Sequence, residues 1–399
     1  MYHFNPSKEQ KDLLKKATEF MDEYVYVNEK YMISHRGLPD DLLKPLQEKV
    51  KSLGMWAAHL PKEAGGTGMG FVSLGLLSEV IGRSPIAPYI FGSMAPDSGN
   101  SEILWHAATP EQKVKYFKPL VNGEIRSYFA MTEPEVSGSD PRMLRGIAHL
   151  DGEEWVINAY KWFSTGAVGA AFSIVMVVTD SEAPPHKRMS LFLVDADTPG
   201  CEIVREVDVM GEHMVGGHCE VLFTNCRIPK ENMLGNRGDG FKLAQLRLGP
   251  GRITHAMRWL GVAERSLEIL IDYVTKTEKN GKSLSEDQTI QNFIADSVTE
   301  IQAARLLTLQ AAWKMDQGDE ARQEVSLIKL YGAHMVNHVV DRAIQVLGLY
   351  GLTKDTPLEA LYREARAARI YDGPDEIHQM VIAKQAIKDY KKDHSLILS

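Results

Sequence analysis

FSIVMVVTDSEAPPHKRMSLFLV, residues 172–194, is the stretch on which the fold turns. It holds two runs of β-branched, aromatic and aliphatic residues, 172–178 and 190–194, parted by a polar segment carrying Pro184-Pro185. Runs this short, bounded by turn residues, predict strands rather than helices. Working outward, 155–157 and 221–223 have the same texture, with Asp151-Gly152 and Pro199-Gly200 as turn signals. Several short strands at this spacing predict a small sandwich or barrel, not a parallel sheet with crossover helices.

On the N-terminal side the texture is helical. Leu13, Leu14, Ala17, Phe20 and Met21 recur at helical spacing, as do Leu42, Leu43, Leu46, Val50 and Leu53. Pro39 followed by Asp40 and Asp41 predicts a helix start, with acidic residues at the positive end of the dipole. Glycines and prolines over 61–70 then interrupt the pattern. The run GGTGMG, residues 65–70, has a phosphate-loop composition but follows a helix end instead of a strand, so it reads as a plain loop.

After Gly240 helices resume over 248–273, 301–315, 325–347 and 374–390, with Gly318 as a stop signal. The expected organisation is α+β and mostly α: a helical domain over 1–128, a β domain over 129–235 and a helical domain over 236–399.

Composition excludes several classes. A net charge of −8 lacks the positive field that sequence-independent binding to nucleic acid or anionic lipid needs. Three cysteines in 399 residues cannot form a disulfide framework, which favours a reducing compartment. The longest nearly apolar run, 167–178, falls short of the roughly 20 residues a membrane span needs. The N-terminal stretch has no signal-peptide pattern. The expectation is a soluble cytoplasmic protein with no nucleic-acid or membrane partner. No metal site is expected either: there is no HExxH spacing, and His213, His218, Cys201, Cys219 and Cys226 match no zinc pattern.

Two segments could carry chemistry. FAMTEPEVSGSD, residues 129–140, offers small hydroxyls and close backbone approach suited to a polar ring or phosphate, and equally suits a linker. YDGPDEIH, residues 371–378, is a helix start with Gly373 before Pro374 and acidic residues in the first turn. Asp372 there is either part of the turn or a carboxylate fixed just outside a helix, where a base could be positioned.

Together these strings resemble the acyl-CoA dehydrogenase family over residues 10–390. PKEAGGTG (61–68), TPEQKVKYFKPLVNGE (109–124), FAMTEPEVSGSD, INAYKWFSTGA (157–167), RIPKENMLG (227–235) and IYDGPDEIHQMVIAKQAI (370–387) are similar to family landmarks in the same order. HMVGGHCEVLF (213–223) and LRLGPGRITHAMRWLGVAERSL (246–267) resemble the branch of family members ten and eleven. The resemblance implies an N-terminal helical domain, a middle β-barrel and a C-terminal four-helix bundle. It also implies FAD, an acyl-CoA substrate, a homodimer or homotetramer, and an electron-transferring flavoprotein as acceptor, in fatty acid β-oxidation and lipid metabolism.

The mechanism so implied is α,β-dehydrogenation to the trans-2-enoyl-CoA. Asp372 matches the base that takes the α-proton; most relatives carry Glu there. The rival base position falls on Gly251, which cannot abstract a proton. Phe129, Met131, Thr132, Gly138, Ser139, Phe163, Ser164 and Thr165 match flavin contacts, and Gln288, Gln345 and Gly348 match the adenosine side across a dimer. Ser139, Arg252 and Gly373 match positions near the CoA thioester.

The chain also departs from the pattern. The flavin loop is one residue longer; Thr277 and Asn280 replace an Arg and a Phe; Leu349 replaces a Gly; and Pro374 has no backbone N–H to donate. Two other readings therefore stay open: a flavin oxidase like the nitroalkane oxidases, which also use Asp, and a flavin-free scaffold.

Overall fold

The computed structural model describes residues 5–138, 140–210 and 214–393. The N-terminal third is helical: α1 (Lys8–Phe20), α2 (Tyr26–His35), α3 (Asp40–Ser52), α4 (Gly70–Gly82), α5 (Ala87–Ile90), α6 (Asp97–Ala107), α7 (Pro110–Gln112) and α8 (Lys118–Val121). The Ser7–Gln10 capping box opens α1, each residue's side chain meeting the other's backbone N–H. α3 begins at Asp40, with Asp40 and Asp41 in its first turn. Residues 65–69 of GGTGMG form a loop and Gly70 opens α4; a Cβ on Gly66 would lie 2.2 Å from the Leu60 carbonyl oxygen, so a tight turn is what requires that glycine.

Eight strands follow: β1 (Ser127–Ala130), β2 (Ile147–Asp151), β3 (Glu154–Thr165), β4 (Phe172–Val178), β5 (Met189–Asp195), β6 (Cys201–Glu206), β7 (His218–Pro229) and β8 (Met233–Leu234). They form one sheet in the order β6-β7-β3-β2-β4-β5-β8, with β1 parallel to β4. The sheet is strongly curled. Trp155 on β3 and Phe192 on β5 have ring centroids 5.1 Å apart, although three strand spacings, roughly 14 Å, would separate them in a flat sheet. Tyr128, Ile157, Val175, Val194, Val221 and Phe223 belong to the core inside this curl.

The expected β-barrel is corrected in one respect: among the described residues the sheet does not close. One edge, β8, has only two residues and offers too few backbone groups for a ladder. The other, β6, is exposed at five of its six positions.

The remaining helices are α9 (Gly240–Lys276), α10 (Gln288–Asp316), α11 (Arg322–Leu347), α12 (Leu358–Ala367) and α13 (Asp375–Asp393). Their shared core includes Met257 and Leu260 from α9, Ile301 and Ala304 from α10, Val336 and Val340 from α11, and Leu361 from α12. No described helix is long and apolar enough to cross a membrane.

By contact the chain divides into two compact units. One comprises Met1–Val27, Met69–Ala87 and Gly249–Ser399; the other comprises Asn28–Gly68 and Pro88–Leu248. In the first, α4 packs with the C-terminal helices through Phe71 and Val72, and its N-terminal amides at those residues donate to the Asp316 carboxylate at 2.6 and 3.1 Å.

Candidate functional site

In the sheet-bearing unit, a β-bulge builds the first group of residues. Lys161 pairs with Val221 and Ser164 with Cys219, so β3 advances three residues while β7 advances two. The extra residue turns Phe163 outward: it sits at φ +49° and is 42% exposed, whereas Lys161 and Ser164 on either side are buried. Ser164 Oγ is buried without a hydrogen-bond partner. Thr165 Oγ1 lies 2.9 Å from His218 Nδ1.

The loop after β1 is tied to this bulge. Thr132 Oγ1 donates to the Trp162 carbonyl at 2.7 Å, and Trp162 N–H donates to the Thr132 carbonyl at 3.0 Å. Beneath it lies a buried ion pair. Lys161 Nζ, fully buried, donates to Glu133 Oε1 (2.7 Å), the Met131 carbonyl (3.0 Å) and the Met176 carbonyl (2.7 Å). Glu133 also accepts the backbone N–H groups of Arg145 and Gly146 at 2.7 and 2.9 Å. Burial pulls the Lys161 ammonium down to about 8, against the attraction of Glu133.

Phe129 is buried on β1, with the Arg247 guanidinium 4.7 Å from its ring centroid. Gly138 lies close to Thr132, whose methyl would be 3.4 Å from a Cβ there. Ser139 lies outside the described residues.

Beside Arg247, burial pushes the Glu102 carboxyl on α6 up to about 8, and its Oε2 has no partner. The raised value means that the folded protein holds a proton which the unfolded chain loses near 4.5. The stability linked to this proton is full below pH 4.5 and is lost as pH rises through 8. Glu102→Gln should flatten the stability–pH curve across that window and gain at least about 1.4 kcal/mol over wild type at its upper end. Urea unfolding at several pH values checks this; parallel curves for the two proteins would contradict it.

In the other unit, Asp372 and Gly373 form a left-handed turn between α12 and α13, with φ +55° and +101°. A Cβ on Gly373 would meet His378 Nε2 at 2.8 Å, so only glycine fits. The turn is pinned through the Asp372 carbonyl, which accepts from Arg252 Nη2 at 3.2 Å and lies 3.3 Å from His378 Nε2. Burial pulls the His378 imidazole down to about 4, so the ring is neutral and the carbonyl, an acceptor only, selects its Nε2–H tautomer.

The Asp372 carboxylate faces His255 Nε2 at 3.8 Å. Tyr371 OH accepts from Trp259 Nε1 at 2.8 Å, and the Lys329 ammonium lies over both rings at 5.5 and 5.7 Å. Burial pulls Lys329 down to about 8, opposed by Asp372 and Asp375. Burial also lowers the Arg252 guanidinium, again opposed by Asp372. This is a carboxylate on a rigid turn among aromatic rings and cations.

Arg252, Asp372 and Gly373 are thus brought together. Gln288, Gln345 and Gly348 lie in the same unit on exposed positions: Gln288 opens α10 and bonds Asn292 at 3.0 Å, while Gly348 caps α11. Next to Gly348, Leu349 is 84% exposed.

Sequence reasoning passed over Lys161, Glu133, Glu102 and His255, and set His218 aside as scattered. For Lys161 a signal existed: it shares the period-two face of Trp155, Ile157 and Ala159, all buried, so a lysine there needed a buried partner. For Glu102 and His255 no local pattern sets them apart.

The chain matches the family models for the N-terminal, middle and C-terminal domains of acyl-CoA dehydrogenases over residues 7–124, 128–226 and 238–387. It is 41% identical to "Probable acyl-CoA dehydrogenase FadE2" of Mycobacterium tuberculosis, over 95% of this chain and 96% of that one. It is also 41% identical to acyl-CoA dehydrogenase family member 10 of Mus musculus, again over 95% of this chain, but spans only 37% of that longer protein. Among solved structures, butyryl-CoA dehydrogenase from Megasphaera elsdenii superimposes with a TM-score of 0.85 at 29% identity, covering 97% of this chain and all of the other.

Proposed function

The chain belongs to the acyl-CoA dehydrogenase family, flavin-dependent oxidoreductases, and from that premise we propose that it converts an acyl-CoA thioester to the trans-2-enoyl-CoA with Asp372 as base. FAD is the cofactor. The donor set fits its isoalloxazine: Phe163 offers an exposed aromatic face, Thr165 a hydroxyl, and Ser164 a buried Oγ that lacks a partner. Bound there, FAD supplies the two-electron acceptor for the β-hydrogen.

The observation that carries the proposal is the rigid left-handed turn at Asp372. Its carbonyl is tied down by Arg252, so the backbone that carries the carboxylate is held before substrate arrives. Strained residues of this kind collect at functional sites, and of seven described non-glycine residues with positive φ, two are Phe163 and Asp372. Asp372 takes the α-proton on a carboxylate oxygen. His255 Nε2, 3.8 Å away, and the Arg252 and Lys329 cations set the charge environment of that carboxylate. Arg252 presents a cation on the substrate side. In this reading Gln288, Gln345 and Gly348 hold the adenosine half of FAD across a homodimer or homotetramer, and the electrons pass to an electron-transferring flavoprotein in the cytoplasm.

The test is anaerobic mixing of the FAD-loaded protein with a panel of acyl-CoA thioesters. Flavin bleaching, with ferrocenium reduction on turnover, is expected for at least one chain class. Oxygen consumption with nitroalkanes and no response to any thioester would replace the dehydrogenase with an oxidase. Colourless protein that takes up no added FAD would leave only the scaffold reading.

A further inference from the structure

His218, in HMVGGHCEVLF, has no role in the reaction above. It opens β7 as the direct register partner of Thr165 on β3, so the two side chains stand on the same face. His218 Nδ1 lies 2.9 Å from Thr165 Oγ1, and its ring centroid is 5.7 Å from that of Phe163. We propose that His218 is a positioning residue: its Nδ1–H donates to Thr165 Oγ1 and so leaves the Thr165 hydroxyl proton free to be donated to a flavin ring on Phe163. This rests on the flavin seat proposed above.

The argument is one of proton counting. Burial alone lowers the His218 pKa, so the imidazole is neutral and carries a single N–H. A threonine hydroxyl has one proton to give. If Thr165 gave it to a bare Nδ1, nothing would remain for a ligand. If instead Nδ1 carries the hydrogen, Oγ1 accepts it and its own proton can turn outward. A second acceptor supports that order: the Phe163 carbonyl lies 3.4 Å from Thr165 Oγ1, and a carbonyl cannot donate. The chain Nδ1–H to Oγ1–H to carbonyl satisfies all three groups; an incoming ring acceptor takes the carbonyl's place. Such a donor stabilises the negative charge that a flavin gains on reduction, and more so in a low-dielectric site.

The experiment has two arms. In the first, 15N NMR of histidine-labelled, FAD-free wild type, with the His218 signal assigned by its loss in His218→Asn, should show a protonated Nδ1; a bare Nδ1 would overturn the proposal. In the second, His218→Leu and His218→Asn are loaded with FAD. The leucine variant should favour the oxidised flavin about tenfold more, a midpoint about 30 mV more negative for a two-electron couple. Its kcat should fall about tenfold at little-changed KM. Asparagine places an amide N–H where Nδ1 stood and should restore both to within about twofold. An unchanged midpoint in the leucine variant would overturn the proposal, and failure of that variant to fold leaves the NMR arm decisive. Wild-type protein that never binds FAD would count against the flavin reading instead, with the tautomer still measurable.

Discussion

Asp372→Asn is expected to bind FAD and acyl-CoA as wild type does and to lose at least about a thousandfold in flavin reduction, within the 10²–10⁴ range of positioned acid–base catalysis. The amide is nearly isosteric and Asn tolerates the left-handed conformation at φ +55°, so the turn should persist. The anchoring bond from Arg252 goes to the backbone carbonyl and is untouched by the change. What disappears is the proton acceptor. Anaerobic stopped-flow on the variant, with substrate binding measured separately, isolates that loss; bleaching at near-wild-type rates would remove Asp372 from the base role. Asp372→Glu is informative beside it, because it keeps the carboxylate and adds one methylene. It should retain measurable reduction, lowered because the longer side chain displaces the carboxylate from a site built for Asp.

Lys161→Met is expected to destabilise the protein by about 3–5 kcal/mol, the usual cost of stranding a buried charge. Glu133 would keep two backbone N–H partners but lose its cation, and the Met131 and Met176 carbonyls would lose their donor. Against a total stability of about 5–15 kcal/mol this is a large fraction. The loop bearing Met131 and Thr132 hangs on the same ammonium, so FAD retention should fall together with the unfolding midpoint. Lys161→Met combined with Glu133→Gln should regain much of the stability, since the buried charge is then gone. Urea unfolding of the three proteins measures this. A single variant within about 1 kcal/mol of wild type would show that the pair carries little weight.

Two of the departures from the family pattern, Asn280 and Leu349, are exposed. Leu349 is almost fully exposed, and Asn280 adopts φ +56° in the tight turn of TEKNG. Gln288, Gln345 and Gly348 stand in no local pattern that marks them as binding residues, so the adenosine role proposed for them came only through resemblance. The bulge was not legible at all. KWFST reads as an uninterrupted strand, and nothing in it says that β7 will be one residue short opposite it.

What the sequence alone determined is what neighbouring residues can determine. The order of helices, strands and helices follows from periodicity, from turn residues such as Asp151-Gly152, and from start and stop signals such as Pro39-Asp40-Asp41 and Gly318. The family follows from strings that survive in order along the chain. Tertiary structure alone decided which helices share a core, with α4 joining those after residue 249. It also decided that the sheet, among the described residues, curls without closing, that Phe163 faces outward, and that Lys161 finds Glu133. Each of these depends on strand register or on contacts between distant segments, and such contacts are chosen by the burial of whole faces, which no short window of sequence contains.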